Sequence, residues 1–243
     1  MSDNDDLEGV IEYRADHIEL DDLEKITAEN PFYKNVVKKL MSRGSKVIIG
    51  PRGVGKTHHM RIAYKNCLKD KSKPFPIYVS FSKYLRLEPL KSRSSIAIQF
   101  FHCWVLCKIL IAIRESSLLL NKNLHSELSE DTSITWDSIS LFCEQIEKQQ
   151  QKDWHEEILE IISINFVSEI INELLLGNKR KHAIILCDDA ALVLTQDYMV
   201  EFFDIFRSLK SSKISPKASV YPSTEFGPRF HLGHDAEEVP CWP

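Results

Sequence analysis

The sequence predicts an α/β protein in which helices cover both faces of a parallel sheet. A glycine-rich turn at residues 50–57 joins a short apolar run to a segment that continues as a helix. A continuous apolar run at residues 182–189 ends in two aspartates, which suits a strand covered on both faces. Residues 75–81 alternate in polarity and are rich in β-forming residues, so they predict another strand. These features favour one α/β domain with a helical insertion.

Length, composition and charge narrow the class of protein. A chain of 243 residues with 43% hydrophobic and 27% charged residues is typical of a soluble globular domain. The net charge of −4 gives no overall basic field that would attract nucleic acid. Local basic clusters occur at Lys34, Lys38, Lys39, Arg43 and Lys46, and again at residues 179–181. Each cluster is either a solvated face or a contact for a phosphate backbone.

Cysteine spacing and the first residues indicate the compartment. The six cysteines are scattered without the paired spacing of a disulfide framework or a zinc site. The chain begins with an acidic, polar stretch rather than a secretory signal. We therefore expect a reducing, cytoplasmic setting. Residues 1–15 predict a mobile acidic tail, residues 16–243 the folded core, and residues 90–180 a largely helical insertion within it.

The helical stretches follow from apolar periodicity. Residues 16–40 predict two short amphipathic helices interrupted at Asn30-Pro31. Pro31 and Phe32 are candidates for a wall against a nucleotide base, with ordinary packing as the alternative. Residues 95–113 are apolar enough to raise the question of a membrane span, but Gln99, His102 and Lys108 interrupt them. A helix buried within the protein is therefore favoured, and no membrane contact is expected.

The rest of the chain continues the alternation of helices and strands. Residues 116–152 predict weak helices, and residues 154–176 one strongly periodic helix that ends at Gly177. Residues 197–209 predict another helix, and residues 217–221 a strand that Pro222 ends. Polar groups after this strand, on Tyr221, Ser223 and Thr224, either sense a phosphate or form a simple turn.

The turn at residues 50–57 matches the phosphate-loop pattern GxxxxGK(S/T) at every position. Glycines allow backbone conformations that let successive N–H groups converge on phosphate oxygens, and the following helix adds positive potential. Lys56 would reach the β- and γ-phosphates, and the hydroxyl of Thr57 would bind Mg²⁺. The residues predicted to bind the nucleotide are Gly50, Pro51, Arg52, Gly53, Val54, Gly55, Lys56, Thr57 and His58.

The aspartates at residues 188 and 189 predict the second half of a nucleotide site. Carboxylates at the carboxyl end of a central strand lie where open α/β sheets bind ligands. Asp188 would hold Mg²⁺ through water, and Asp189 would orient or deprotonate the attacking water. The alternative is that both residues cap the next helix. Asp189 stands where many ATPases have a glutamate, and its shorter side chain predicts slow turnover.

The order of these motifs resembles an AAA+ ATPase core. Within that superfamily the chain is most similar to the initiator-type, origin-recognition-like branch that borders the STAND signalling ATPases. The resemblance rests on the phosphate loop, the strand at residues 75–81, the helical stretch, LCDDA and KASVYP. It implies a three-layer P-loop NTPase fold with about five parallel strands in the order 5-1-4-3-2. By the same resemblance, Arg229 would be an arginine finger for a neighbouring subunit, with a surface arginine on a turn as the alternative. Residues 236–240 would be the last core strand.

The chain departs from the family pattern in two places. No asparagine stands at the sensor-one position, which Tyr221 or Ser223 would occupy. The sequence ends at Pro243, before the helical lid that relatives carry next. Either the lid is lost, a partner supplies it, or the chain is a fragment of a longer one. Such a core would leave apolar surface near the nucleotide, which favours a homo-oligomer or a partner protein subunit.

The motifs together predict Mg²⁺-dependent ATP binding with slow hydrolysis, as a nucleotide switch in a multi-protein assembly. ATP is preferred because no NKxD-type guanine signature is present. Relatives use the ATP state to load onto DNA, and bacterial members serve in anti-phage or signalling assemblies. Two alternatives stay open: a DNA-binding initiator-like module, and a structural subunit with a degenerate nucleotide pocket.

Overall fold

A computed structural model describes residues 15, 18–28, 30–81, 97–120, 134–148, 150, 155–190 and 196–242 of the chain. Their core is a sheet of five strands, all paired in parallel. The strands are β1 (Lys46–Ile49), β2 (Phe75–Ser80), β3 (Ala183–Asp188), β4 (Ile214–Val220) and β5 (Glu237–Pro240). Their order across the sheet is β2-β3-β4-β1-β5, which confirms the predicted order 5-1-4-3-2. Of the predicted acidic tail, only Ala15 lies within the described residues.

One face of the sheet is covered by helices from the amino-terminal part of the chain. These are α1 (Leu20–Leu23), α2 (Pro31–Met41) and α3 (Lys56–Lys69). The predicted break at Asn30-Pro31 is confirmed, because Asn30 caps α2 by accepting a hydrogen bond from the Tyr33 amide at 2.8 Å. The buried Lys65 of α3 forms ion pairs with Asp21 and Glu24, which fasten α1 to α3.

The opposite face carries the helical insertion and the helix after β3. The insertion contains α4 (Ala97–Leu119), α5 (Trp136–Glu147), α6 (His155–Ile161) and α7 (Ile164–Gly177), and α8 (Gln196–Ser208) follows β3. The alternate residues of β3 divide between two apolar clusters: Ile184 and Leu186 face α2 and α3, whereas Ile185 and Cys187 face the insertion. Both faces are therefore covered, as the continuous apolar run predicted.

Helix α4 is the apolar segment that raised the question of a membrane span. It has 23 residues, and two thirds (67%) of its most apolar window, with mean hydropathy 1.6, is buried inside the protein. It packs against β2, α5 and α8. Near its end, Ser116 lies 3.0 Å from the hydroxyl of Tyr64 on α3, so α4 reaches past the edge strand β2 to the opposite layer. The apolar character of α4 is thus accounted for by packing.

Two elements differ from the sequence-based expectation. The single helix expected over residues 154–176 is two helices, because Ser163 accepts a hydrogen bond from the Phe166 amide and begins α7 as its cap. Strand β4 begins at Ile214, three residues before the expected start at residue 217. It therefore contains Pro216, which lies opposite Ile185 in the middle of the sheet. Proline argues against a central strand in sequence, and here it obscured the start of one.

Candidate nucleotide site

The glycine-rich turn joins β1 to α3, as predicted, and its glycines serve different purposes. Gly53 and Gly55 have φ angles of 83° and 88°, in the left-handed region that side chains disfavour. Gly50 has no such angle. A Cβ atom on Gly50 would stand 2.6 Å from Val54 Cγ1 and 3.2 Å from Cys241 Cβ, so this position excludes a side chain through crowding. The turn is thus specified by conformation at two glycines and by close packing at the third.

Lys56 is a buried cation at the centre of the turn. Its side chain is only 8% exposed, and Nζ donates hydrogen bonds to the carbonyl oxygens of Gly50 (2.6 Å) and Pro51 (2.9 Å). Nζ also lies 4.4 Å from the centre of the Tyr221 ring. Burial lowers the pKa of Lys56, while the charges of Cys241, Asp188 and Asp189 act in the opposite direction. No carboxylate of the described residues forms an ion pair with this ammonium.

Asp188 lies at the carboxyl end of β3 and is held from both neighbouring strands. It is 1% exposed. Its Oδ2 accepts a hydrogen bond from the Tyr78 hydroxyl of β2, and its Oδ1 accepts one from the Ser219 hydroxyl of β4, both at 2.8 Å. Two hydroxyl groups from the neighbouring strands therefore fix the orientation of the Asp188 carboxylate. The residues between Ala190 and Gln196 lie outside the described residues, so the alternative that the aspartates cap the next helix stays open.

Asp189 follows with a left-handed backbone. Its φ angle is 58°, which is uncommon for a residue other than glycine, although aspartate and asparagine tolerate it best. Its amide donates a 3.0 Å hydrogen bond to Ser219 Oγ. Strained backbone of this kind persists where surrounding contacts fix it, and it is concentrated at functional sites.

The turn and the aspartates lie at the same edge of the sheet, one strand apart. Strand β4 pairs with β3 on one side and with β1 on the other. Ala218 lies opposite both Cys187 and Val47, and the Gly50 amide donates to the carbonyl of Val220 at 3.3 Å. Neighbouring strands are about 4.8 Å apart, so the ends of β1 and β3 are separated by about 10 Å. The nucleotide reading requires this proximity.

The first turn of α3 contains the predicted residue His58, and it is enclosed by residues that the sequence did not identify. His58 Nε2 lies 2.8 Å from Thr27 Oγ1, and the ring of His59 lies 4.5 Å from that of Tyr33. Nδ1 of His59 lies 2.8 Å from the Gly55 carbonyl and 3.5 Å from Cys241 Sγ, whereas its Nε2 is buried without a hydrogen-bond partner. Burial lowers the pKa of both histidines. The neutral ring of His59 therefore donates from Nδ1.

Of the two candidates for a wall against a nucleotide base, Phe32 shows the ordinary packing that was the alternative. Pro31 is exposed, and Phe32 packs against the apolar cluster between α2, α3 and the sheet. It is Tyr33, one residue further, whose ring lies beside both histidines of the α3 turn. Tyr33 was not identified from the sequence as a residue of this site.

The remaining predicted residues have separate positions. Thr57 is half-buried in the first turn of α3, directly after Lys56, and Arg52 is exposed in the loop. Tyr221 is the residue after β4 whose ring faces Lys56, whereas Ser223 is exposed in a turn. Arg229 is 69% exposed and donates to Asp204 of α8 at 2.9 Å. Its contacts within the chain are therefore with α8, and its role toward a neighbouring subunit stays a prediction.

Comparison with known proteins does not assign a family. No protein-family model matches the sequence, and no curated protein matches it with significant similarity. Within the described ranges, no group of three or more His, Cys, Asp or Glu residues is placed to hold a metal. The predicted Mg²⁺ ligands, Thr57 and Asp188, are only two, and Mg²⁺ in such sites takes its other ligands from phosphate and water. Because no family is assigned, the proposal for this site rests on the geometry of its residues.

Proposed function

We propose that this protein binds ATP with Mg²⁺ at residues 50–57 and hydrolyses it slowly, as a nucleotide switch of the P-loop NTPase type. The observation that supports the proposal most is the state of Lys56. Among the described residues, this buried ammonium donates to neutral carbonyl oxygens and to no carboxylate, so no direct contact neutralises its positive charge. Phosphate oxygens accept stronger, charge-assisted hydrogen bonds than carbonyl oxygens do. An anionic group beside Lys56 would relieve the unfavourable burial that lowers its pKa.

The neighbouring residues fit a metal-bound triphosphate. The turn supplies backbone N–H groups at the amino end of α3, and its glycines allow the chain to approach a ligand closely. Thr57 and Asp188 would hold Mg²⁺, which when bound neutralises charge on the phosphate oxygens. The fit is supported by Asp188, whose carboxylate is engaged by neutral hydroxyls and not by a competing cation of the described residues.

Asp189 is the residue that we assign to water activation. It follows the metal-binding position directly and is turned by its left-handed backbone. An aspartate has one methylene fewer than the glutamate common at this position, so its reach to a water molecule is shorter. We therefore expect turnover to be slow. A slow rate of hydrolysis suits a switch that acts through its ATP-bound state. Arg229 would assist only from a neighbouring subunit, in a homo-oligomer or with a partner subunit.

DNA association receives no specific support from the structure. In the first basic cluster, Lys39 and Lys46 both pair with Glu237, and Lys46 is buried. In the second cluster, the buried Arg180 donates to the carbonyl oxygens of residues 67, 73 and 74. These cations therefore stabilise the fold. We therefore prefer a role in a cytoplasmic signalling or anti-phage assembly to a role in loading onto DNA.

Loss of nucleotide binding on removal of the Lys56 ammonium is the direct test. We expect Lys56→Ala to abolish ATP binding measured by titration calorimetry in the presence of Mg²⁺. Lys71→Ala, which removes an exposed lysine in the turn before β2, is the matched control and should bind as the wild type does. Equal ATP affinity of Lys56→Ala and wild type would refute the proposed site. Bound nucleotide that is never hydrolysed in any assembly would instead favour a structural subunit.

A further inference from the structure

Both carboxylate oxygens of Asp188 are held by hydroxyl groups, one from each neighbouring strand. We propose that Tyr78 and Ser219 are positioning residues that fix the Asp188 carboxylate for the metal. The inference rests on the proposed function, since it concerns the same site. It differs from that function in assigning roles to two residues that no motif in the sequence identifies.

Tyr78 reaches Asp188 because of the register between β2 and β3. Ser80 lies opposite Asp188, and Tyr78 lies opposite Leu186, two residues earlier on each strand. Side chains two residues apart share a face of the sheet, so the long tyrosine side chain can extend along the strand to Asp188 Oδ2 at 2.8 Å. The Tyr78 ring also packs against Tyr64 of α3, with 5.7 Å between ring centres. The hydroxyl is therefore fixed from the sheet and from the helix.

Ser219 serves both aspartates at once. Its hydroxyl donates to Asp188 Oδ1 at 2.8 Å and accepts from the Asp189 amide at 3.0 Å. A single hydroxyl has one donor and two acceptor positions, so these two contacts are compatible. Ser219 is 2% exposed, which excludes bulk water as a replacement. It thereby links the side-chain position of Asp188 to the left-handed turn at Asp189.

Neutral donors suit a metal-binding carboxylate better than a cation would. A hydroxyl donor fixes the orientation of the carboxylate but leaves its negative charge available to a metal. Each carboxylate oxygen has about two lone-pair positions, so one hydrogen bond on each leaves room for a further partner. Hydrogen bonds to ligating carboxylates are important in metal sites, where their removal weakens metal affinity by about 10–100-fold.

The two residues should therefore differ in their effects. The Tyr78 hydroxyl donates to Asp188, the first of the two aspartates, so its removal should weaken metal affinity. Ser219 contacts both, so its hydroxyl should influence metal affinity and also the position of the water-activating Asp189. If a residue had a merely structural role, its substitution would lower stability without a specific change in metal affinity or in kcat.

Tyr78→Phe tests the first half of the inference. ADP binding by the full chain is measured by calorimetry without Mg²⁺ and over a range of MgCl₂ concentrations. We expect unchanged affinity for ADP alone, and a half-saturating Mg²⁺ concentration raised by about 10–100-fold. Tyr64→Phe is the matched control, because it removes a neighbouring buried hydroxyl that contacts Ser116 and not Asp188. It should leave the Mg²⁺ dependence at the wild-type value.

Ser219→Ala tests the second half. We expect a similar rise in the half-saturating Mg²⁺ concentration together with a lower kcat for ATP hydrolysis at saturating Mg²⁺. Ser219→Thr, which keeps the hydroxyl, should recover both quantities. Thermal unfolding of each variant confirms that it is folded.

The possible outcomes separate this inference from the proposed function. Wild-type protein that binds ADP with Mg²⁺, beside a Tyr78→Phe variant with unchanged Mg²⁺ dependence, overturns the positioning roles and leaves the nucleotide site standing. An equal Mg²⁺ effect in Tyr64→Phe also overturns them, because the hydroxyl on Asp188 would then not be the cause. Wild-type protein that binds no nucleotide at any Mg²⁺ concentration overturns both.

Discussion

Gly53 and Gly44 offer a matched pair for testing whether the backbone of the turn is built for a ligand. Their φ angles are 83° and 82°, and a Cβ atom added at either would meet nothing within 4 Å. An alanine at either position therefore introduces conformational strain without a steric clash. Gly53 belongs to the turn at residues 50–57, whereas Gly44 lies before β1, at the opposite edge of the sheet.

The size of the strain sets the expected magnitude. A left-handed backbone costs a residue other than glycine about 1–2 kcal/mol. Gly44→Ala should therefore lower the free energy of unfolding by about 1–2 kcal/mol and leave ATP affinity unchanged. In Gly53→Ala, the free loop can relieve the strain by changing its conformation. Because ATP binding requires the original conformation, the loop must then take up the strain again when ATP binds. If the whole strain energy appears as a loss of binding free energy, ATP affinity falls by about 5–30-fold, since each 1.4 kcal/mol is about tenfold.

The loss of stability is measured by urea unfolding of the wild type and both variants. The loss of ATP affinity is measured by titration calorimetry of the same three proteins. For Gly53→Ala, the loss of unfolding free energy and the loss of binding free energy should together amount to about 1–2 kcal/mol. A Gly44→Ala variant that weakens ATP binding as much as Gly53→Ala would show that the effect is not local. A Gly53→Ala variant with unchanged stability and unchanged affinity would refute the positive φ angle as a requirement of the site.

Two further predictions concern an aspartate and a buried lysine. Asp189→Asn should retain ATP binding, because asparagine tolerates the left-handed turn, while phosphate release falls by about 100-fold or more; normal turnover would show that Asp189 does not activate water. Lys217 of β4 is fully buried, and burial lowers its pKa to about 6. The unfolded chain therefore binds more protons than the folded one between this value and the ordinary value of 10.5, so the free energy of unfolding should rise with pH across that window. Lys217→Met should lack this rise in urea unfolding compared at about pH 6 and about pH 9; parallel pH profiles of the two proteins would contradict it.

Local patterns predicted most of the strands, because the signal for a strand or a turn lies within a few consecutive residues. The apolar run of β3, the alternating β2 and the turn after β1 each carry their signal within a few positions. The strand order came from resemblance, and the structure confirms it. The start of β4 was missed because Pro216 lies inside it, and the break before α7 was missed because Ser163 interrupts an otherwise continuous apolar period.

Sequence motifs located the glycine-rich turn and the two aspartates but not the residues that surround them. Tyr78 and Ser219 reach Asp188 through strand register, which no local pattern reports. Arg180 stands in a run of cations that suggested a solvated face, yet it is buried and donates to distant carbonyl groups. In each case, the partner that defines the role comes from another element of the fold.

The charges at this edge of the sheet support a ligand that itself carries both signs. Lys56 and Asp188 are both buried, and the charge of Asp188 opposes the lowering of the Lys56 pKa by burial, yet the two do not form an ion pair. Lys56 instead donates to carbonyl oxygens, and Asp188 accepts from hydroxyls. Two opposite buried charges that neutralised each other directly would have little affinity left for other ions. Because neutral groups hold them apart, Lys56 stays available to phosphate oxygens and Asp188 to a cation, which is the charge pattern of a metal-bound triphosphate.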